Sequence, residues 1–201
     1  MNNISENKSK LRENLIERRK QLSAKSQAQM SKNIIKQLKP VDAFKNANNI
    51  AIYLAVRGEA DPHILIDQSY KESKHYYLPV LSQNKDEGLV FAPINSNTRY
   101  KDNRFKIPEP IYSQNELISA HDLDLVIMPL LGFTKEGTRL GMGGGYYDRC
   151  FSFKNKGIRK PFLLGFAYDF QELGTITAEP WDIPLDMVAT ESQFIYVNNK
   201  T

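Results

Sequence analysis

The chain has 201 residues, a formal net charge of +4, 41% hydrophobic residues and 25% charged residues. This length fits a single domain over 1–201, and the composition is that of a folded globule rather than a disordered chain. No apolar run approaches the roughly 20 residues that span a bilayer, and the polar N-terminus lacks the apolar core of a secretory signal. The single cysteine excludes an internal disulfide framework. We therefore expect a cytoplasmic protein without a membrane partner.

The predicted elements begin with two helices. Apolar residues recur at helical spacing over about 5–22, which predicts the first helix. Ser23 is a typical N-cap for a second helix, which should end near Leu38 because Pro40 follows. These two helices predict an N-terminal helix hairpin over 1–39.

Beyond this hairpin, short apolar runs predict a series of strands. They are Asn49–Leu54, His75–Leu78, Leu89–Ala92, Leu123–Pro129, Phe162–Phe166, Met187–Thr190 and Phe194–Val197. Helices are expected between them, one opening at Asp61–Pro62 and running to about Lys71, and one over Tyr146–Phe153. Short strands without alternation, separated by helices, are typical of a three-layer α/β fold with a mainly parallel sheet. Ligands of such sheets bind beyond the carboxyl ends of the strands.

The segment Arg139–Arg149 reads RLGMGGGYYDR, with four glycines in five positions. Glycines let backbone N–H groups approach an anion closely. Two arginines add positive charge, and Asp148 offers an oxygen ligand for a cation such as Mg²⁺. A tight turn would explain the glycines alone, but not the charged residues and tyrosines around them. Since the spacing is neither the P-loop nor the dinucleotide fingerprint, we predict a metal-complexed phosphate site of another kind, suited to a nucleotide.

Three further residues are candidates, each with a structural alternative. Glu59 follows the first strand and is either a site residue or an ordinary loop glutamate. Asp182 lies in a proline-held turn, which it could cap instead of binding a metal. Phe105 lies in a segment stiffened by two prolines, where its ring could stack on a flat heterocycle or pack into the core. The three histidines lack metal-ligand spacing, which argues against a zinc site or a catalytic triad.

Basic residues crowd the first predicted helix. They are Lys8, Lys10, Arg12, Arg18, Arg19 and Lys20. Glutamates interleave with them, which favours a solvated helix face over a nucleic-acid surface. Cys150 directly follows the glycine segment, and we expect it to be packed rather than reactive.

The combined motifs resemble the 5-formyltetrahydrofolate cyclo-ligases, also called methenyltetrahydrofolate synthetases. The resemblance runs in order along nearly the whole chain and rests on Lys8–Arg12, Tyr53–Leu54, Glu59, Phe105–Pro110, Met128–Phe133, Gly137–Arg149 and Trp181–Asp182. It implies ATP- and Mg²⁺-dependent cyclisation of 5-formyltetrahydrofolate to 5,10-methenyltetrahydrofolate, with release of ADP and phosphate, through a phosphorylated formyl intermediate. It also implies a fold similar to the ribose-5-phosphate isomerase and CoA-transferase group.

The resemblance implies a role for each matching residue. The implied ATP contacts are Lys8, Arg12, Arg139, Leu140, Gly141, Met142, Gly143, Gly144, Gly145, Tyr146 and Tyr147. The implied folate contacts are Leu54, Glu59, Phe105, Met142 and Tyr146, and the implied Mg²⁺ ligands are Asp148 and Asp182. Some family members carry basic residues at the positions of Met142 and Gly144. Without them, this chain would depend on Lys8, Arg12, Arg139 and backbone donors to bind phosphate.

Two alternatives remain open from the sequence. One is an isomerase or transferase of the same fold group that acts on phosphorylated sugars, which the two arginines of the glycine segment disfavour. The other is a nucleic-acid-binding module that uses the basic helix hairpin, which would show strongly salt-dependent binding. We expect a monomer that takes a small folate substrate, with or without a polyglutamate tail, and no nucleic-acid partner.

Overall fold

A computed structural model describes residues 2–66, 74–84, 86–103 and 107–197. Its α-helices are α1 (Asn2–Lys20), α2 (Ala24–Leu38), α3 (Asp42–Lys45) and α4 (Tyr146–Cys150). Its strands are β1 (Asn49–Ala51), β2 (His75–Leu81), β3 (Leu89–Ile94), β4 (Tyr100–Asp102), β5 (Pro108–Pro110), β6 (Leu125–Met128), β7 (Gly132–Phe133), β8 (Arg139–Leu140), β9 (Phe162–Phe166), β10 (Met187–Ala189) and β11 (Phe194–Tyr196).

Seven strands form one sheet in the order β11-β10-β9-β6-β1-β2-β3. The five inner strands run parallel, and the edge strands β3 and β11 pair antiparallel to their neighbours. The mainly parallel sheet predicted from the sequence is therefore confirmed, with an antiparallel strand at each edge. Because β1, β6 and β9 are parallel neighbours, the segments that follow them leave the sheet at the same end.

Both faces of the sheet are covered by apolar groups. Along β6, Leu125 and Ile127 pack with α2 residues on one face, whereas Val126 and Met128 pack on the other face with Phe151, which follows α4. Side chains of a strand alternate between faces, so a strand buried on both sides must be apolar throughout. This explains the unbroken apolar runs in the sequence.

The first helix is fixed against the β7–β8 hairpin. Leu15 of α1 is 1% exposed and packs with Leu131, which directly precedes β7, and with Leu140 of β8. Gly132 makes the approach possible, because a Cβ there would lie 2.6 Å from a methyl group of Leu173 and 3.1 Å from one of Leu15. This packing brings the basic side of α1 to the hairpin that leads into the glycine segment.

Several predicted boundaries agree with the structure. The Ser23 hydroxyl accepts a hydrogen bond from the Ser26 N–H, which confirms the predicted N-cap of α2. Asp61 likewise accepts a hydrogen bond from the His63 N–H, and a short 3-10 segment follows over residues 63–66. The rest of the helix predicted to about Lys71 lies outside the described residues. No helix in the described part of the chain has the length and apolar character needed to cross a membrane.

The glycine segment begins in strand β8, and the β7–β8 hairpin separates its glycines from the central strand β6. The helix after the glycines is shorter than predicted. The helix expected over Tyr146–Phe153 begins at Tyr146 but ends at Cys150, and a 3-10 segment follows at Ser152–Lys156. A helix of five residues contributes little macrodipole, so the positive character of the site must come from side chains and free N–H groups.

Candidate active site

The glycine segment presents its backbone to a ligand. Gly143 and Gly145 adopt φ angles of 91° and 64°, in the left-handed region that glycine tolerates best. Within the described residues, none of the N–H groups from 141 to 145 donates a hydrogen bond to the chain. Unpaired N–H groups in such a turn are ready donors to an anion, so the backbone geometry suits phosphate oxygens.

Arg139 and Asp148 form a tight pair beside these donors. Arg139 Nη2 donates to Asp148 Oδ1 at 2.6 Å, and the Ile183 N–H donates to the same oxygen at 3.2 Å. The Arg139 guanidinium also lies over the Tyr147 ring, 5.7 Å from its centroid. Its Nε is buried without a hydrogen-bond partner among the described residues. Since buried donors are normally paired, this free N–H fits a site that a phosphate oxygen completes.

Arg12 of α1 reaches the glycine segment, and Lys8 lies one helical turn before it. Arg12 Nε donates to the Gly141 carbonyl at 2.9 Å, across 129 residues of sequence. A Cβ on Gly143 would lie 3.6 Å from Arg12 Nη2, so the bare glycine backbone allows the guanidinium to come close. Lys8, one turn before Arg12, pairs with Glu179 at 3.2 Å. The structure therefore places Arg12 against the glycine segment and Lys8 against the turn at 179–183, while their roles toward ATP stay predictions.

Asp182 does cap its turn, because Asp182 Oδ2 accepts a hydrogen bond from the Glu179 N–H at 2.9 Å. It is also next to Ile183, whose N–H binds Asp148, so the two predicted metal residues belong to one neighbourhood. The described residues contain no cluster of three or more His, Cys, Asp or Glu side chains that could hold a metal. Two carboxylates nonetheless fit Mg²⁺, which typically takes one or two carboxylates and completes its shell with water and phosphate oxygens.

Glu59 faces the same region from the loop after β1. Its Oε2 accepts the Val56 N–H at 3.0 Å, and its Oε1 lies 3.4 Å from Arg19 Nη1. Burial raises the pKa of Glu59, while the Val56 N–H and the Arg19 charge lower it. The pKa of Tyr147 is raised chiefly by burial, with a smaller contribution from the Glu59 charge. The Glu59 loop and the glycine motif therefore lie within electrostatic range of each other.

The other predicted contacts have varied surroundings. Leu54 is half-buried against the core, and Met142 is 55% exposed at the glycine segment. The Arg149 guanidinium lies over the Tyr146 ring, 4.9 Å from the ring centroid. Leu140 is 2% exposed and its carbonyl accepts the Leu131 N–H at 2.8 Å, so it packs in the core of the hairpin. Phe105 lies outside the described residues.

Cys150 is buried, as expected. Its Sγ contacts the Leu89 carbonyl at 3.5 Å, and burial raises the pKa of the thiol to about 12. The thiol is therefore neutral at physiological pH and packs as a small apolar group. Sequence reasoning missed Glu179 and counted Arg19 only as one of several basic residues. A pairing across 171 positions, like that of Lys8 with Glu179, leaves no local signal.

The fold is that of an α/β protein, and its candidate anion site lies where α1, the glycine segment and the turn at 179–183 meet. The model of the 5-formyltetrahydrofolate cyclo-ligase family matches residues 4–191. The 5-formyltetrahydrofolate cyclo-ligase of Escherichia coli K12 is 34% identical over 177 residues, which cover 88% of this chain and 96% of the relative. That of Haemophilus influenzae is also 34% identical, over 88% of this chain and 89% of its own length.

A solved structure agrees with these relatives. The NMR structure of Aquifex aeolicus 5,10-methenyltetrahydrofolate synthetase superposes with a TM-score of 0.80 at 31% identity, covering 96% of this chain and 94% of that one. The chain belongs to the 5-formyltetrahydrofolate cyclo-ligase family. It is accordingly an enzyme, a ligase of folate metabolism.

Proposed function

We propose that the chain cyclises 5-formyltetrahydrofolate to 5,10-methenyltetrahydrofolate at the expense of ATP, with Mg²⁺ as the required cation. The observation that carries this proposal is the convergence of Arg139, Asp148 and the α1 cations on five free backbone N–H groups. Such a set binds and neutralises a polyphosphate. A sugar-phosphate isomerase binds a single phosphate and would need fewer such donors, so the set favours a nucleotide.

The formyl group of the substrate is an amide, whose oxygen is a poor leaving group. In the proposed course the formyl oxygen attacks the γ-phosphorus of ATP and ADP departs. Folate N10 then attacks the activated formyl carbon, N10 loses its proton, and phosphate leaves with the former formyl oxygen. The product has N5 and N10 joined through one carbon. Phosphorylation thus accounts for the need for ATP.

The residues of the site would position ATP and the folate and would stabilise the charge that develops on the transferred phosphoryl group. Lys8, Arg12 and Arg139 would hold the phosphates together with the backbone donors, and Tyr146 and Tyr147 would border them. Asp148 and Asp182 would hold Mg²⁺, which when bound would offset the negative charge of the phosphates. Asp148 Oδ1 is already bonded to Arg139, so its other oxygen is the one available to the metal or its water.

Glu59 would recognise the folate. Its carboxylate is an acceptor beside the glycine motif, and pterin rings present N–H donors of matching kind. Leu54 and Met142 supply apolar surface nearby, and we retain Phe105 as a proposed stacking partner of the ring. Polyglutamylated substrate, a monomeric state, a cytoplasmic location, an N-terminal helix hairpin and kinship with the ribose-5-phosphate isomerase group also remain proposals.

A direct assay tests the proposed reaction. Purified protein is mixed with 5-formyltetrahydrofolate and MgATP, and the near-ultraviolet absorbance of the methenyl product is followed while ADP is quantified. We expect the band to grow only when ATP and Mg²⁺ are both present, with one ADP formed per product. A flat trace from folded protein would reject the reaction, and product formed without ATP would reject the phosphorylation step.

A further inference from the structure

Arg19 is an unusual residue of α1. Its side chain is 2% exposed, although arginines are rarely buried unless they are fully paired. Neither its Nε nor its Nη1 has a hydrogen-bond partner among the described residues. Arg18, the preceding residue, is exposed and donates to the Phe170 carbonyl at 3.2 Å. The two adjacent arginines therefore have opposite environments.

The charge that faces Arg19 is Glu59. Arg19 Nη1 lies 3.4 Å from Glu59 Oε1, in an ion pair without hydrogen-bond geometry, and the Glu59 side chain is 11% exposed. Burying an incompletely bonded ion pair costs free energy that its Coulomb attraction offsets poorly. Replacing such a pair with apolar residues of similar volume is often neutral or stabilising, so a buried ion pair is weak evidence of a stabilising role.

Arg19 is enclosed and is not placed to contact a ligand. Its side chain is 2% exposed, its Nε and Nη1 are both buried, and Gly58 packs against its base, since a Cβ on Gly58 would lie 3.2 Å from the Arg19 carbonyl oxygen and 3.5 Å from the Arg19 Cβ. Any effect of Arg19 on a ligand must therefore pass through a neighbour. Glu59 is the neighbour that pairs with it and is the proposed folate contact.

We propose that Arg19 is a positioning residue, which holds the Glu59 carboxylate ionised and oriented as an acceptor for the N–H groups of the folate ring. This inference rests on the proposed function, because it takes Glu59 as the residue that meets the folate. A protonated Glu59 would offer a hydroxyl donor on one oxygen and would lose charge-assisted acceptance on both. The ionisation of Glu59 therefore decides how well the folate is bound.

Arg19 is the buried charge that opposes the effect of burial on the Glu59 carboxyl. Burial raises the pKa of the carboxyl, and the opposing influences are the Val56 N–H, Arg19 and, more weakly, Arg57. Tyr53 and Tyr147 also face it, and burial raises the pKa of both phenols, so they stay neutral. Of the two arginines, Arg57 is exposed and screened by solvent, whereas Arg19 is buried.

The test compares Arg19→Met with the matched control Arg18→Met, which removes the exposed neighbour. The value of kcat/KM for 5-formyltetrahydrofolate is measured as a function of pH for each variant, and each profile is compared with that of the unaltered protein. For Arg19→Met we expect the acid limb to move to higher pH by about one unit or more, the usual effect of losing a close opposite charge. We also expect KM for the folate to rise about tenfold or more near neutral pH, with KM for ATP changed less than about threefold. Arg18→Met should leave both unchanged.

Two further variants separate positioning from folding. Arg19→Lys keeps the charge and should keep the acid limb near its original pH. Arg19→Met combined with Glu59→Gln removes both partners, which avoids an unpaired buried charge if Arg19→Met alone does not fold. If Arg19 acts through Glu59, the double variant binds 5-formyltetrahydrofolate as Glu59→Gln does, measured by calorimetry without ATP. A further loss of affinity in the double variant overturns the inference, as does an acid limb that stays in place in folded Arg19→Met.

The Glu59→Gln variant distinguishes this inference from the proposed function. A large loss of folate affinity in Glu59→Gln, together with unaltered behaviour in Arg19→Met, rejects the role of Arg19 and leaves Glu59 as a folate contact. Unchanged folate affinity in Glu59→Gln rejects both. Loss in both single variants, without additivity in the double, supports both.

Discussion

Among the described residues, two arginine–carboxylate pairs lie near the site, and they differ in bonding and in exposure. Arg139 and Asp148 lie 2.6 Å apart, with side chains 8% and 19% exposed. Arg19 and Glu59 lie 3.4 Å apart, with side chains 2% and 11% exposed. The first pair is a true hydrogen bond, strengthened by the Ile183 N–H on the same oxygen, whereas the second is an ion pair without hydrogen-bond geometry.

This difference separates two tasks. Asp148 is partly exposed, and the Nε of its partner Arg139 has no hydrogen-bond partner among the described residues. A ligand can therefore bind to this pair or rearrange it. Glu59 is buried and is paired with the buried charge of Arg19, so a ligand would not need to displace a partner. We infer that the first pair works by exchanging partners when phosphate and metal arrive, and that the second works by staying fixed.

Replacing Asp148 should have the largest effect. Asp148→Asn keeps an oxygen for Arg139 and Ile183 but removes the charge that a metal requires. We expect kcat/KM for MgATP to fall by about 10²–10³-fold, the size seen when one electrostatic contact of a transition state is lost. Steady-state rates across a Mg²⁺ titration measure it, with the unfolding midpoint measured alongside.

Asp186→Asn is the matched control for this change. Asp186 is similarly exposed at 21% and pairs with Lys154 at 3.2 Å, and it also accepts the Leu163 N–H, but it lies outside the site. Its substitution should lower stability without changing the Mg²⁺ requirement. Equal losses of activity in the two variants would show that Asp148 acts through folding and not through the metal.

Replacing Arg139 should have a smaller and more selective effect. Arg139→Ala removes a charged donor to phosphate, which is worth about 1.5–3 kcal/mol. KM for ATP should therefore rise by about tenfold or more, while KM for 5-formyltetrahydrofolate changes by less than about threefold. Arg159→Ala, at an exposed position away from the glycine segment, serves as the control. A parallel rise in both KM values would make Arg139 a structural residue of the whole site.

The two pairs were not equally predictable from the sequence. Asp148 and Arg139 lie nine positions apart in a glycine-rich segment, so the local pattern indicated a phosphate site and named both residues. Glu59 was a candidate whose role the local sequence left open, and the resemblance then implied a folate contact. Arg19 was grouped with solvated charges, because a charged residue between other charged residues in a helix gives no sign of burial. Its burial follows from tertiary packing, which places α1 over the Glu59 loop.

The fold shows the same contrast between local and distant information. The apolar runs located the sheet strands, because a strand buried on both faces must be apolar throughout. The β7–β8 hairpin was not predicted, because each of its strands is only two residues long. Such strands give no periodicity, and their pairing depends on α1 packing through Leu15.

The smallest expected effect concerns stability and its dependence on pH. Burial raises the pKa of Glu59 above its ordinary value of 4.5, so the folded protein holds this proton to higher pH than the unfolded chain. The associated stability is fully present below the unfolded pKa and is lost as pH rises through the folded pKa. Arg19→Met with Glu59→Gln removes this titration. Relative to the unaltered protein, the double variant should therefore gain stability as pH rises from about 4.5 through the folded pKa of Glu59.

Denaturant unfolding at several pH values checks this expectation. Near neutral pH the double variant should match the unaltered protein within about 1–2 kcal/mol or exceed it, because uncharged replacements of a buried ion pair are commonly neutral or stabilising. A loss of several kcal/mol at every pH would instead make the Arg19–Glu59 pair a structural support. The Arg19–Glu59 pair would then hold the fold, and only Asp148 and Arg139 would be retained for the ligand. A stable double variant that binds folate poorly would show that this buried charge is retained for the ligand.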